Sequence, residues 1–172
     1  MAGTATGLTA VIALGSNLGD REATIRAAVH ELAGTPGITV ERCSGLIETP
    51  ALKPDGVDAD APAYLNAAVR IRTTLDPHEL LDVLHRIEAA HGRERTEHWG
   101  DRTLDLDIVS MGGVRVHEPD LMVPHPRAHE RAFVLAPWLE VEPDATLGGV
   151  PVARHLEGLG ETPTRVEAEP PL

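Results

Sequence analysis

Aromatic side chains make up only 2% of this 172-residue chain: two Trp, one Tyr and one Phe. A core must therefore be assembled from Ala, Val, Leu and Ile, and each of Tyr64, Trp99, Phe133 and Trp138 becomes a candidate for a special task as well as for packing. Positive charge is also scarce. The formal net charge of -12 excludes broad nucleic-acid-binding or anionic-membrane surfaces, because both require a basic face. Cys43 is the only cysteine, so no intramolecular disulfide can form, and its apolar surroundings suit a small buried side chain better than a reactive thiol. The one lysine, Lys53, is far from the Gly15-to-Gly19 turn, which excludes a P-loop there. Long apolar runs are missing too. Leu8 to Leu14 is too short to cross a bilayer and has no basic leader, so a cytoplasmic location is expected.

What is present suits one globular domain over 1–172, with a core at about 8–145 and a frayed, proline-containing tail at about 160–172. Leu8 to Leu14 predicts a central strand closed by the Gly15–Gly19 turn. A helix capped by Asp20 follows, with Ile25, Ala28, Val29 and Leu32 on one face. Ile38 to Thr49 predicts a second strand, Lys53 to Ala63 a mobile polar loop, and Tyr64 to Thr73 a third strand. Asp76-Pro77-His78-Glu79 has the form of a capping box with Pro at the first helical position, and Leu80, Leu81, Leu84 and Ile87 form the stripe of the helix it starts. A fourth strand then turns into a hairpin at Gly112-Gly113. The resulting order, βαββαβ, predicts an α+β, ferredoxin-like core with the added hairpin and C-terminal helices near 127–139 and 150–159.

The most informative stretch is Trp99-Gly-Asp-Arg-Thr-Leu-Asp-Leu-Asp107. Side chains alternate along a strand, so Asp105 and Asp107 share a face about 7 Å apart while Leu104, Leu106 and Ile108 face the core. A cation between them relieves their repulsion, and magnesium favours a carboxylate pair completed by waters and substrate phosphates. A solvated face of an edge strand is the alternative. Arg93, Arg95 and Arg102 lie close by in sequence, and guanidinium forks grip phosphate oxygens two at a time. Between residues 86 and 102 four Arg balance four acids, so the segment is neutral inside an acidic chain.

Other features leave two readings open. The Gly15–Gly19 turn could cradle phosphate, although a tight βα connection is the favoured reading. His125 and His129 have zinc-like spacing, but Pro124 and Pro126 flank the first, and His125, Arg127 and Arg131 suit phosphate better than metal. Glu88 is expected on a solvated or salt-bridged helix face. Tyr64, Asn66 and Phe133 could be core or could hold a flat heterocycle.

Taken in order, Ala13-Leu-Gly-Ser-Asn-Leu-Gly19, Glu48-Thr-Pro50, Tyr64-Leu-Asn-Ala-Ala-Val69, Arg86-Ile-Glu88, Gly92-Arg-Glu-Arg95, Trp99-Gly100, Arg102-Thr-Leu-Asp-Leu-Asp-Ile108, Val123-Pro-His-Pro-Arg127 and Glu130-Arg-Ala-Phe-Val-Leu135 resemble the 6-hydroxymethyl-7,8-dihydropterin pyrophosphokinase family. The resemblance implies transfer of diphosphate from ATP to the pterin hydroxymethyl group, releasing AMP, in folate biosynthesis. It implies that Asp105 and Asp107 hold two Mg²⁺ and that Arg93 and Arg102 act from a closing loop. Thr49, Pro50, Leu52, Tyr64, Asn66, Trp99 and Phe133 would bind the pterin. Glu88, Arg93, Ile108, His125 and Arg131 would meet ATP. His85, Asp120 and Pro126 depart from residues found at those places in some members. A monomer with small-molecule substrates and neither nucleic acid nor membrane as partner is expected. A magnesium-dependent nucleotide hydrolase and a ligand-binding regulatory module are the rival classes.

Overall fold

The computed structural model describes residues 7–17, 19–49, 63–92, 104–161, 163–166 and 172, together with the backbone of 51–53 and 56–58. In chain order the elements are β1 (Leu8–Ser16), α1 (Arg21–Ala33), β2 (Ile38–Cys43), β3 (Leu46–Thr49), β4 (Ala51–Lys53), β5 (Gly56–Asp58), β6 (Tyr64–Thr73), α2 (Pro77–Ala90), β7 (Asp105–Met111), β8 (Val116–Glu118) and β9 (Leu121–Val123). A 3-10 turn (Ala128–Glu130), α3 (Ala132–Val141), β10 (Thr146–Leu147), β11 (Val150–Pro151), α4 (Val152–Leu159) and β12 (Thr164–Val166) complete the chain.

The main sheet runs β12-β3-β6-β1-β7, with β2 also on β6, and every pairing is antiparallel. With β2 and β3 counted as one strand, the βαββαβ core has its second, third, first and fourth strands side by side, which is the ferredoxin-like arrangement. Period-two burial sends Ala10, Ile12 and Leu14 of β1 and Leu65, Ala67, Val69 and Ile71 of β6 into one apolar cluster with Ile25, Ala28 and Leu32 of α1 and Leu80 and Leu84 of α2. Val11, Ala68 and Val109 on the other face pack with Val134, Leu135 and Trp138 of α3 and Val152 of α4. Helices thus cover both faces of the sheet.

Local signals place the helices well. Asp76 accepts from the Glu79 amide at 2.8 Å while Glu79 accepts from the Asp76 amide at 3.0 Å, closing the predicted capping box. Asp20 caps α1 by accepting from the Ala23 amide at 3.1 Å.

Six expectations need correction. The second strand is broken at Ser44-Gly45, where Ser44 Oγ accepts the Ala68 amide at 2.8 Å and the Ser44 amide donates to Ala68 O at 2.9 Å. A side chain has replaced one ladder acceptor, which splits the run into β2 and β3. In place of a loop after Lys53, the chain forms a short hairpin from β4 and β5. Gly112-Gly113 turns the chain away from β7 without pairing it back, and the added hairpin is β8–β9 instead. The expected helix from residue 127 opens as the 3-10 turn and becomes α-helical only at Ala132. Part of the tail expected to be frayed is held as β12, because Thr164 to Val166 pair with Glu48 to Leu46 along the open edge of β3. The expected stripe of α2 shifts as well: Leu81 is half-buried, whereas Val83 and Glu88 are buried. Cys43 is half-buried, and desolvation raises its thiol pKa, in keeping with an unreactive side chain.

Candidate active site

β7 is the edge strand beside β1, and its pattern is the predicted one: Leu104, Leu106 and Ile108 are buried while Asp105 and Asp107 share the opposite, half-exposed face. Pairing register decides what stands next to them. Asp105 is opposite Gly15 and Asp107 opposite Ala13 on β1. Gly15 is in turn opposite Asn66 on β6, and Asn66 opposite Ile47 on β3. One row across the sheet therefore reads Asp105, Gly15, Asn66, with the two ends roughly 10 Å apart at about 4.8 Å per strand. Glycine at the middle lets the neighbouring side chains close over β1: a Cβ there would lie 3.2 Å from Asn66 Oδ1 and 3.5 Å from Tyr64 Cδ1. Gly15, read from sequence as part of a turn, belongs to β1 and is buried at the middle of this row.

Asn66 is buried, and its Nδ2 donates to Thr49 Oγ1 at 2.9 Å. With the amide nitrogen committed, Oδ1 is the group presented toward Gly15. Tyr64 is the register partner of Thr49 and sits at the same end of the sheet. Arg21 braces this corner, donating to Glu48 Oε2 at 2.9 Å and to Ala63 O at 2.8 Å.

Anion donors border the carboxylate end. The His125 amide donates to Val109 O at 3.0 Å, which ties the segment after β9 back to β7. Burial lowers the His125 pKa to about 4; Arg131 and Arg127 add to the effect, and Asp105 opposes it. The ring is therefore neutral near pH 7. Its Nδ1 accepts from the Arg127 amide at 3.2 Å, so the proton resides on Nε2, making a donor without charge. The Arg131 guanidinium is 5.6 Å from the centre of the half-buried Phe133 ring at the start of α3. Arg127, expected to join these donors, is engaged by Glu130 at 3.0 Å on the surface.

Glu88 is the residue most misread from sequence. It is 2% exposed, and its Oε2 accepts the backbone amide of Leu106 at 2.8 Å. Trp138, the largest fully buried side chain among the described residues, belongs to the second core, with Nε1 donating to Glu142 Oε1 at 3.0 Å. Among the described residues a His78, Glu118 and Asp120 group also falls within metal-ligand reach, His78 Nε2 being 2.8 Å from Glu118 Oε2. All three are exposed, His78 in the first turn of α2, whose N-terminus opposes a cation, and the two acids on the β8–β9 hairpin, so they act as a surface clasp between the two elements. Pro50, Arg93, Trp99 and Arg102 lie outside the described residues, as does the Leu52 side chain.

A carboxylate pair at one end of a sheet row and a buried amide two strands away share one face of a ferredoxin-like sheet, and the protein is of the α+β class. Relatives narrow that class. A family model described as 7,8-dihydro-6-hydroxymethylpterin-pyrophosphokinase (HPPK) matches residues 11–143, and the chain belongs to this family of folate-biosynthesis enzymes. It is 46% identical over 150 residues to the 2-amino-4-hydroxy-6-hydroxymethyldihydropteridine pyrophosphokinase of Methylorubrum extorquens, covering 87% of this chain and 92% of that protein. Against the Bacillus subtilis protein of the same name identity is 44% over 161 residues, covering 88% and 94%. A crystal structure described as HPPK-DHPS in complex with substrates shares the fold, with TM-score 0.69 at 12% identity, covering 89% of this chain and 43% of that one. The chain thus spans less than half of that larger protein. No helix among the described residues is long and apolar enough to cross a membrane.

Proposed function

We propose that this chain transfers diphosphate from ATP to the hydroxymethyl group of 6-hydroxymethyl-7,8-dihydropterin, releasing AMP, with two Mg²⁺ held by Asp105 and Asp107. The row Asp105–Gly15–Asn66 carries this reading, because it sets a carboxylate pair and a buried amide two strands apart on one face of the sheet. The carboxylates suit magnesium: both are half-exposed, which leaves room for waters and phosphate oxygens, and their neighbours Gly15 and Ala13 put no bulk beside them. When bound, the metal supplies charge neutralisation and alignment of the phosphates.

The chain's own residues bind and orient. Asn66 Oδ1, fixed by Thr49, accepts from a ring N-H of the pterin, and Tyr64 and Phe133 flank the heterocycle. His125 Nε2-H and Arg131 donate to phosphate oxygens. Held together in line, the reactants need no covalent nucleophile, so positioning is the main source of rate. Arg93, Arg102 and Trp99 are proposed to join from the loop that contains them, Ile108 to border the nucleotide, and Pro50 and Leu52 to complete the pterin rim. The chain is proposed to act as one domain and as a monomer in the cytoplasm.

Incubation with ATP, Mg²⁺ and the pterin tests the assignment. Pterin-dependent AMP is expected. Release of ADP would indicate a one-phosphate kinase, and nucleotide hydrolysis without pterin a hydrolase. A second measurement addresses the row. Gly15→Ala places a methyl 3.2 Å from Asn66 Oδ1. By displacing the Asn66 carboxamide, at about 0.5–1.5 kcal/mol for a lost hydrogen bond, the substitution is expected to raise the pterin KM roughly 2- to 10-fold while the ATP KM holds. Equal change in both would place Gly15 outside the pterin path.

A further inference from the structure

Glu88 occupies an expensive position. It is 2% exposed on the otherwise apolar stripe of α2 formed by Leu80, Val83, Leu84 and Ile87. A buried carboxylate there loses hydration, and one in the last turn of a helix faces the negative end of the helix dipole. Capping does not explain it, since α2 ends at Ala90 and His91 forms its C-cap. What it holds is specific: Glu88 Oε2 accepts the amide of Leu106, the residue between Asp105 and Asp107, at 2.8 Å.

The direction of that bond matters. Amides along an antiparallel strand alternate sides. With the Leu106 N-H turned outward to Glu88, the amides of Asp105 and Asp107 turn inward to β1, where Gly15 and Ala13 are their register partners. An edge strand ordinarily has nothing to hold its outer side. Here the Asp-Leu-Asp unit is held on its inner side by β1, below by the buried Leu106 side chain, and on its outer side by Glu88. The spacing of two carboxylates depends on the backbone between them, and Glu88 is the side chain that grips it.

We infer that Glu88 is a positioning residue for the metal pair, acting through the Leu106 amide rather than by direct contact with ATP. The inference rests on the proposed metal role of Asp105 and Asp107. Its test measures metal binding without turnover: Mn²⁺ titrated against the protein in the presence of a methylene-bridged ATP analogue, with free Mn²⁺ followed by electron paramagnetic resonance. Glu88→Ala is expected to weaken Mn²⁺ binding roughly 10- to 100-fold, the usual cost of losing a group that orients a metal ligand. Glu88→Gln keeps an oxygen for the Leu106 amide and is expected to bind Mn²⁺ within about 3-fold of wild type, with that amide still protected from hydrogen exchange, because an uncharged acceptor retains most of the orienting effect.

Wild-type Mn²⁺ affinity in folded Glu88→Ala would overturn the inference, leaving Glu88 a packing residue. Glu88→Gln as weak as Glu88→Ala would overturn it as well, showing that the negative charge itself is read. If Glu88→Ala does not fold, Glu88→Asp replaces it: its shorter side chain withdraws the acceptor, and undiminished Mn²⁺ binding refutes the role. Wild-type protein that binds no Mn²⁺ removes the metal reading itself, a result distinct from wild-type binding with unaltered variants.

Discussion

Asp107→Ala and Asp105→Ala are each expected to lower turnover by several orders of magnitude while the protein stays folded. Both side chains are half-exposed on the open face of β7, and neither contributes to either apolar cluster. Removing one therefore opens no cavity, and it also relieves repulsion between like charges on one strand face. Stability without metal should change by only about 1 kcal/mol, the centre of the range for point substitutions, which leaves the protein folded. The activity term is far larger. A metal that neutralises a triphosphate supplies several kcal/mol of transition-state stabilisation, and each 1.36 kcal/mol is about tenfold in rate. Two measurements separate these effects. Turnover should fall about 10³-fold by this arithmetic, and the rise in melting temperature that Mg²⁺ and an ATP analogue are expected to give wild type should vanish in the variants. Near-normal turnover in either would remove the metal pair from the mechanism.

The second large effect is on stability. Trp138→Ala empties the largest fully buried side-chain position among the described residues and leaves the Glu142 carboxylate without its indole donor. Loss of a buried Trp costs about 3–5 kcal/mol, which at about 2–4 °C per kcal/mol for a chain of this size lowers the melting temperature by roughly 10 °C. The consequence reaches the site through α3, whose packing against β6 by way of Val134, Leu135 and Trp138 holds Arg131 and Phe133 at the rim. Thermal unfolding of the variant checks the expectation. A shift of only a degree or two would mean that the second layer is held by other contacts, chiefly those of α4.

Much of this architecture follows from short-range rules. The capping box at Asp76 and Glu79 and the cap at Asp20 are local chemistry, legible because donor and acceptor lie three residues apart. The shared face of Asp105 and Asp107 is equally local, since a strand has period two whatever it pairs with. Misreadings occurred where a distant partner intervenes. Ser44 resembles an ordinary strand residue until Ala68, across the ladder, donates to its hydroxyl and breaks the strand. The tail resembles frayed chain until the free edge of β3 supplies Thr164 to Val166 with partners. Glu88 resembles a solvated face residue until β7 comes to lie against α2 and offers the Leu106 amide.

By itself, then, the amino-acid order determined the helices, most strands, the α+β class and the side-by-side acids, because dihedral preference, capping and hydrophobic period act within a few residues. Tertiary structure alone decided that Gly15 lies between Asp105 and Asn66, that Thr49 takes up the Asn66 amide nitrogen, and that a buried carboxylate holds the strand between the two acids. Those relations depend on pairing register, and sliding a strand by one residue exchanges its two faces. Register here is set jointly by irregularities at Val11/Ile12 and Val40/Arg42 and by the helices packed on each side of the sheet, so no single segment encodes it.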